Sequence, residues 1–169
     1  TPKPSSAASD VYKRQLDKLL EKYPKNLVLN TTKVEFLSYF NKFNDALDLA
    51  NKFLEISPKN YPLSISKSQI LLNMGQYFES EEIIRDQLLR KNDSPELWFM
   101  LSETQKTSQN IVGYHQSRAE YFLLLGQDEK ALNQLEFALQ LTQNNFQVSD
   151  RIMTKIIEIK KSLQNSRGL

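Results

Sequence analysis

Cysteine is absent from these 169 residues, so the chain has no disulfide framework, no thiol nucleophile and no thiolate metal site. A single histidine, His115, excludes any site that needs two imidazoles. Only four glycines occur and none are clustered, which leaves no Gly-rich phosphate loop. An excess of one charge is missing too. Twenty-two Lys+Arg against 20 Asp+Glu leave +2, too balanced for a protein built around phosphate backbones. No run approaches the ~18 consecutive apolar residues that a membrane span requires. Thr1–Asp10 is polar, without the apolar core of a signal peptide. These absences argue against a self-contained enzyme. The length favours one domain, and a compact fold of this size buries roughly 70% of its unfolded surface.

What is present is a period. Pro24-Lys25-Asn26 recurs 34 residues later as Pro58-Lys59-Asn60. The same step carries Leu20 to Leu54 to Leu88, Val34 to Ser68, Leu37 to Leu71 and Ala46 to Ser80. After Leu88 the register slips by half a repeat, and a step of 51 restores it, taking Ser68 to Ala119, Leu71 to Phe122, Gly75 to Gly126, Ser80 to Ala131 and Leu88 to Leu139. Within each unit the apolar spacing is helical, and sustained alternation of the strand type is nowhere found. Nine helices are predicted, near 16–22, 29–41, 44–57, 62–74, 78–91, 95–108, 113–125, 128–142 and 147–164. Ser94-Pro95-Glu96 reads as a helix start, with Ser94 as N-cap, Pro95 in the first turn and Glu96 at the positive end of the dipole.

A period of 34 filled with helix hairpins resembles the tetratricopeptide repeat (TPR). The first helix of each unit carries a small or medium residue followed by a large one, as in Val34/Leu37, Ser68/Leu71 and Ala119/Phe122. The second opens with a small residue, Ala46, Ser80 or Ala131, and brings Leu54, Leu88 or Leu139 inward. Small residues let antiparallel helices approach closely, and large ones fill the groove between units. Trp98 falls where a bulky packing residue is expected, and Gly126 is grouped with the packing set. The expected fold is therefore all-α, a right-handed superhelical solenoid of TPR hairpins over residues 16–169. It comprises a truncated repeat at 16–26, repeats near 27–60 and 61–94, a half-repeat at 95–111, a repeat at 112–145 and a capping helix at 147–164. In that last helix Ile152, Ile156, Ile159 and Leu163 recur at helical spacing, while Arg151, Lys155, Lys160 and Lys161 lie elsewhere around it.

Residues 1–15 are Ser/Pro-rich and non-periodic at the start, and SAASDVYKRQ resembles translated sequencing-adapter DNA. They are expected to be a non-native or disordered segment, with natural sequence lost on the amino side.

Chemistry is scarce. His115 and Glu120 stand five positions apart on one helix and so point about 140° apart; His115 reads as a half-buried packing residue. Zinc would need further His or Cys ligands, and no metal or other cofactor is expected. Glu81-Glu82 reads as solvated surface. Asn30-Thr31-Thr32 and Asn92-Asp93-Ser94 fit a glycosylation pattern, but helix-start chemistry accounts for both. Groove-facing positions of the first helices are estimated as Glu35 and Tyr39, with Thr31 beside them, then Gln69 and Asn73. The Trp98 helix adds Phe99 and Glu103, and its successor adds Gln116 and Glu120. Such a mixed groove suits an extended or helical peptide. The carboxylate clamp of co-chaperone TPR domains is not matched, since Thr31, Glu35, Ser66, Glu96 and Met100 occupy the corresponding places.

Tyr114–Leu139 (YHQSRAEYFLLLGQDEKALNQLEFAL) resembles something narrower. His115, Ala119, Glu120, Gly126, Ala131, Leu135 and Ala138 match a pattern in the C-terminal TPR domain of bacterial periplasmic zinc metalloproteases of the β-barrel assembly-enhancing type. That resemblance spans roughly 95–160. It implies an upstream catalytic domain bearing H-E-x-x-H, the only place where zinc would enter; no such motif occurs here, and no catalytic residue is carried over. It also implies a non-catalytic scaffold whose partners are proteins or peptides, its own protease domain and the outer-membrane assembly machinery among them, with no nucleic acid and no transmembrane segment. The periplasm follows from the same resemblance; without it the cytoplasm is the expectation. The competing reading is a free-standing TPR adaptor with no attached enzyme.

Overall fold

The computed structural model describes residues 6–142 and 144–167. Nine α-helices follow one another and no strand occurs among these residues: α1 Ser6–Lys22, α2 Leu27–Tyr39, α3 Phe43–Ile56, α4 Tyr61–Asn73, α5 Tyr77–Arg90, α6 Pro95–Thr107, α7 Ile111–Leu124, α8 Asp128–Leu141 and α9 Phe146–Arg167. Side-chain caps set many of the starts. Asn26, Asn60, Ser94 and Asn110 each accept a hydrogen bond from the backbone N–H three residues on, and Asn145 does the same for Val148. Each such bond satisfies a donor that the first helical turn leaves unpaired. The repeated Pro-Lys-Asn string is thus punctuation: its asparagines, Asn26 and Asn60, open α2 and α4.

Four helix ends share one turn. Asn41, Gly75, Gln109 and Gly126 hold left-handed backbone, with φ of 57°, 78°, 61° and 68°. The next residue in each case donates its N–H to a carbonyl five positions back: Lys42 to Leu37, Gln76 to Leu71, Asn110 to Gln105 and Gln127 to Phe122. This is the bonding of a helix C-terminus closed by a left-handed residue. Thirty-four residues separate the first two turns and the next two, and seventeen separate the last pair. The expected half-repeat at 95–111 holds the single helix α6 and its turn. The helices α6 and α7 form a whole hairpin in step with the earlier period, and the half-step falls between α7 and α8. As a result α7 closes one hairpin and opens the next.

The chain divides into two compact units that part at Gln76 and Tyr77, within the expected repeat 61–94. Repeats touch only their sequence neighbours, which makes such a division natural. In the first unit α2, α3 and α4 pack together and α1 lies on α2. Val34, Ala46, Ala50, Phe53, Leu63 and Ile70 form its core, with Leu37 and Leu54 packed against it; Leu71 is also buried. In the second unit α5 to α9 pack in chain order. Ala119, Ala131, Leu135, Ala138, Ile152, Ile156 and Ile159 form one core there, flanked by Phe122, Leu139 and Leu163, and Ser80 and Leu88 are buried on α5.

Three other expectations change. Residues 6–15, expected to be irregular, are the first turns of α1; the Tyr12 ring stacks on Phe36 at 5.9 Å and Leu16 is buried. Residues 1–5 lie outside the described ones. Gly126 does not pack at all: a Cβ there would meet nothing within 4 Å, and its place is fixed by its positive φ instead. Asn30 is not a helix start but a buried residue inside α2, donating to the carbonyls of Pro24 and Asn26.

Candidate binding site

Unit by unit, the expected groove residues have different fates. In the first, Glu35, Tyr39, Gln69 and Asn73 are all exposed. Gln69 and Asn73, one turn apart on α4, approach to 3.5 Å. Tyr39 stands edge-on to Phe40 at 5.3 Å between ring centres. Thr31 is buried, its hydroxyl donating to Leu27 O at 2.8 Å, and so leaves the surface. A cavity of about 330 Å³ lies between α1 and α2, lined by Asp10, Lys13, Leu16, Asp17, Lys33, Phe36, Leu37, Phe40 and Lys42. Lys33 and Asp17 pair across it at 3.1 Å.

The second unit gathers more. Gln116 and Glu120, one turn apart on α7, line a cavity of about 230 Å³ with Arg85, Trp98, Gln105, Gly113, Ser117, Leu135, Arg151, Ile152 and Lys155. Helices α5, α6, α7, α8 and α9 all contribute. Trp98, expected in the core, is half-buried here, its indole N–H donating to Asn92 O at 2.8 Å. Glu120 pairs with Lys155 of α9 at 3.1 Å, not with His115. His115 Nδ1 lies 2.8 Å from Gln134 Oε1, and its ring packs between Tyr114 and Phe137. Phe99, 41% exposed, sits beside this cavity's helices in a separate cluster. The Arg118 guanidinium lies 5.2 Å from its ring, 5.0 Å from Tyr121 and 4.9 Å from Phe122. Those are cation–π distances. Glu103 is half-buried on α6.

Sequence reasoning missed the polar network behind the cavity. Ser117 Oγ donates to Gln105 Oε1 at 2.7 Å, and Gln105 Nε2 donates to Glu81 Oε1 at 3.0 Å. Arg85 Nη2 reaches the same Glu81 oxygen at 2.6 Å. The Glu81 side chain is only 17% exposed, which corrects its reading as solvated surface; Glu82 is exposed. A buried amide with both ends bonded to other helices is costly to leave unsatisfied, so this chain of bonds fixes the register of α5, α6 and α7. No signal along the sequence points to it, because the partners lie 24 and 12 residues from Gln105.

Among the described residues no group of three or more His, Cys, Asp or Glu side chains is placed to hold a metal ion, and no helix is long and apolar enough to cross a membrane.

Helix hairpins closed by recurrent left-handed turns at 34-residue spacing define the fold as all-α and TPR-like, of the solenoid class. Solved structures similar to this chain include two of MamA. One is MamA, residues 41 to the end, from Desulfovibrio magneticus RS-1, with a TM-score of 0.62 and 13% identity, covering 91% of this chain and 86% of that one. Another is the MamA RS-1 ArsTM double mutant, also at 0.62 and 13%, covering 92% and 86%. At that identity the likeness is one of fold. No family model and no curated protein matches the sequence.

Proposed function

We propose that the chain is a non-catalytic scaffold that binds a protein or peptide segment, with the second unit as its main site. The observation that carries this is the cavity bounded by α5 to α9, into which Gln116 and Glu120 of α7 project while Ala119 of the same helix is buried in the core. One face of α7 holds the fold, and another presents the Gln116 amide beside the apolar lining of Trp98, Leu135 and Ile152. An extended segment needs that mixture: apolar patches for affinity and polar groups to pair its backbone. The cavity of the first unit supports the reading less, because Asp10 and Lys13 on its rim belong to the segment read as non-native.

Site-specific photocrosslinking tests it. A benzophenone amino acid at Phe99 or Gln116 is expected to trap one defined partner, whereas the same group at Phe146, exposed at the start of α9, should not. Equal labelling at all three positions would count against a dedicated site. Purified protein supplied with zinc is expected to hydrolyse no peptide, and zinc-dependent hydrolysis would overturn the non-catalytic reading.

The finer reading is that the chain belongs to the C-terminal part of a periplasmic zinc metalloprotease that acts in outer-membrane protein assembly, docking on its own protease domain. It is supported by the Tyr114–Leu139 pattern, which covers the shared helix α7 and the half-step to α8. The genomic sequence upstream of Leu16 decides it. An H-E-x-x-H helix within a few hundred residues supports the protease, and a run of further repeats supports a free-standing adaptor.

A further inference from the structure

We infer that the cavity of the second unit receives an acidic side chain of an extended segment, an Asp or Glu next to an apolar residue. The inference rests on the scaffold reading and specifies its ligand. At about 230 Å³ the cavity falls below the roughly 300 Å³ at which small-molecule sites begin, so it is sized for one or two side chains. Trp98, Leu135 and Ile152 supply apolar lining. The charges around it are not in balance. Arg85 is matched by Glu81 at 2.6 Å and Lys155 by Glu120 at 3.1 Å. Arg151 lines the same cavity with no hydrogen bond or ion pair to any described residue, and the Gln116 amide is likewise unbonded.

A vacant guanidinium and a vacant amide over apolar lining favour a carboxylate, which arginine can grip through two parallel N–H donors. A lysine or arginine in the ligand would meet the unmatched charge of Arg151 and find both nearby carboxylates already engaged. Ile152 packs against the core, which fixes the helix that carries the neighbouring Arg151 at the cavity rim.

Selection from a phage-displayed library of random dodecapeptides tests this on the whole chain. Wild-type protein is expected to enrich peptides carrying Asp or Glu beside an apolar residue. The tightest of them, labelled with fluorescein, should bind about tenfold more weakly to Arg151→Glu by fluorescence polarisation, a loss of the size expected for one charge-assisted pair. Arg151→Lys should recover part of that loss. Lys160→Gln, on the same helix but off the cavity, should not change binding. Circular dichroism should remain that of wild type in all three, since Arg151 is exposed. Enriched peptides without an acidic residue, or acidic peptides indifferent to Arg151→Glu, overturn the inference and leave the scaffold reading standing. No enrichment at all overturns both. Tighter binding of a single-stranded oligouridine than of any selected peptide, lost in Arg151→Glu, would assign the cavity to phosphate and also overturn it.

Discussion

Ser117 Oγ and Gln105 Oε1 lie 2.7 Å apart, a buried hydrogen bond that ties α7 to α6. The other end of the Gln105 amide bonds Glu81 of α5, so one side chain reads the position of two neighbouring helices at once. Ser117→Ala removes a donor and leaves a buried acceptor alone, which costs about 1–3 kcal/mol. Thermal or urea unfolding should show a loss in that range. Combining it with Glu81→Gln should give a non-additive total, because both substitutions act on the same amide. Strict additivity would mean that the two bonds are independent.

Gly113 stands where α7 begins, beneath that amide. A Cβ built there would come within 2.7 Å of Asn110 Nδ2 and 2.8 Å of Gln105 Nε2. Glycine to alanine within a helix ordinarily gains up to about 1 kcal/mol. Here the sign should reverse. Asn110 is held as the N-cap of α7 by the Gly113 N–H at 3.1 Å, and Gln105 is fixed from both ends, so neither can retreat without losing a bond. Gly113→Ala is expected to destabilise by about 1–2 kcal/mol, the worth of a lost cap or buried hydrogen bond. A rise in melting temperature would show that the two side chains yield freely.

How much of this was legible beforehand depends on the range of each signal. The bounds of the helices from α2 to α8 were readable to within two residues at either end, because their signals are local: caps such as Ser94 and apolar spacing such as Val34 and Leu37. The amino-terminal half of α1 was not, since its early residues lack an apolar period and its anchors, Leu16 and Tyr12, act through α2. Gln109 holds the left-handed turn that Gly75 and Gly126 advertise elsewhere, and glutamine carries no such flag. Glu81 was misjudged because its burial is imposed by Gln105 on another helix. Of the cavity, Gln116 and Glu120 were anticipated from the repeat register, while Arg85 and Arg151 were not, since only the packing of α5 and α9 brings them to α7.

Ala131 is fully buried where α8 meets α7, in the core that includes Ala119 and Leu135. The methyl group is the reason those helices pack so closely. Ala131→Trp overfills the contact, at a cost of about 1–3 kcal/mol or more. Glu103→Ala, a half-buried polar position on α6 with no side-chain bond among the described residues, should leave the melting temperature nearly unchanged. If Glu103→Ala instead unfolds the protein and Ala131→Trp does not, the assignment of inward and outward faces in the second unit is wrong.

Two equivalent turns should respond to substitution with opposite signs. Gln109 and Gly126 hold the same left-handed backbone, at φ of 61° and 68°, and each precedes a residue bonded to a carbonyl five positions back. For a residue with a Cβ that conformation costs roughly 1–2 kcal/mol, which glycine avoids. Glycine in turn loses more chain entropy on folding, by about 0.4–1 kcal/mol. The difference predicts that Gln109→Gly stabilises by about 0.5 kcal/mol and that Gly126→Ala destabilises by a comparable or larger amount, although no atom lies within 4 Å of the added methyl. Asn41→Gly should do less than Gln109→Gly, since asparagine tolerates the left-handed region better than glutamine. Urea denaturation of the three variants measures all of this. A destabilised Gln109→Gly would indicate that the α6–α7 turn relaxes out of the left-handed region in solution, and with it the argument that this hairpin keeps the thirty-four-residue step.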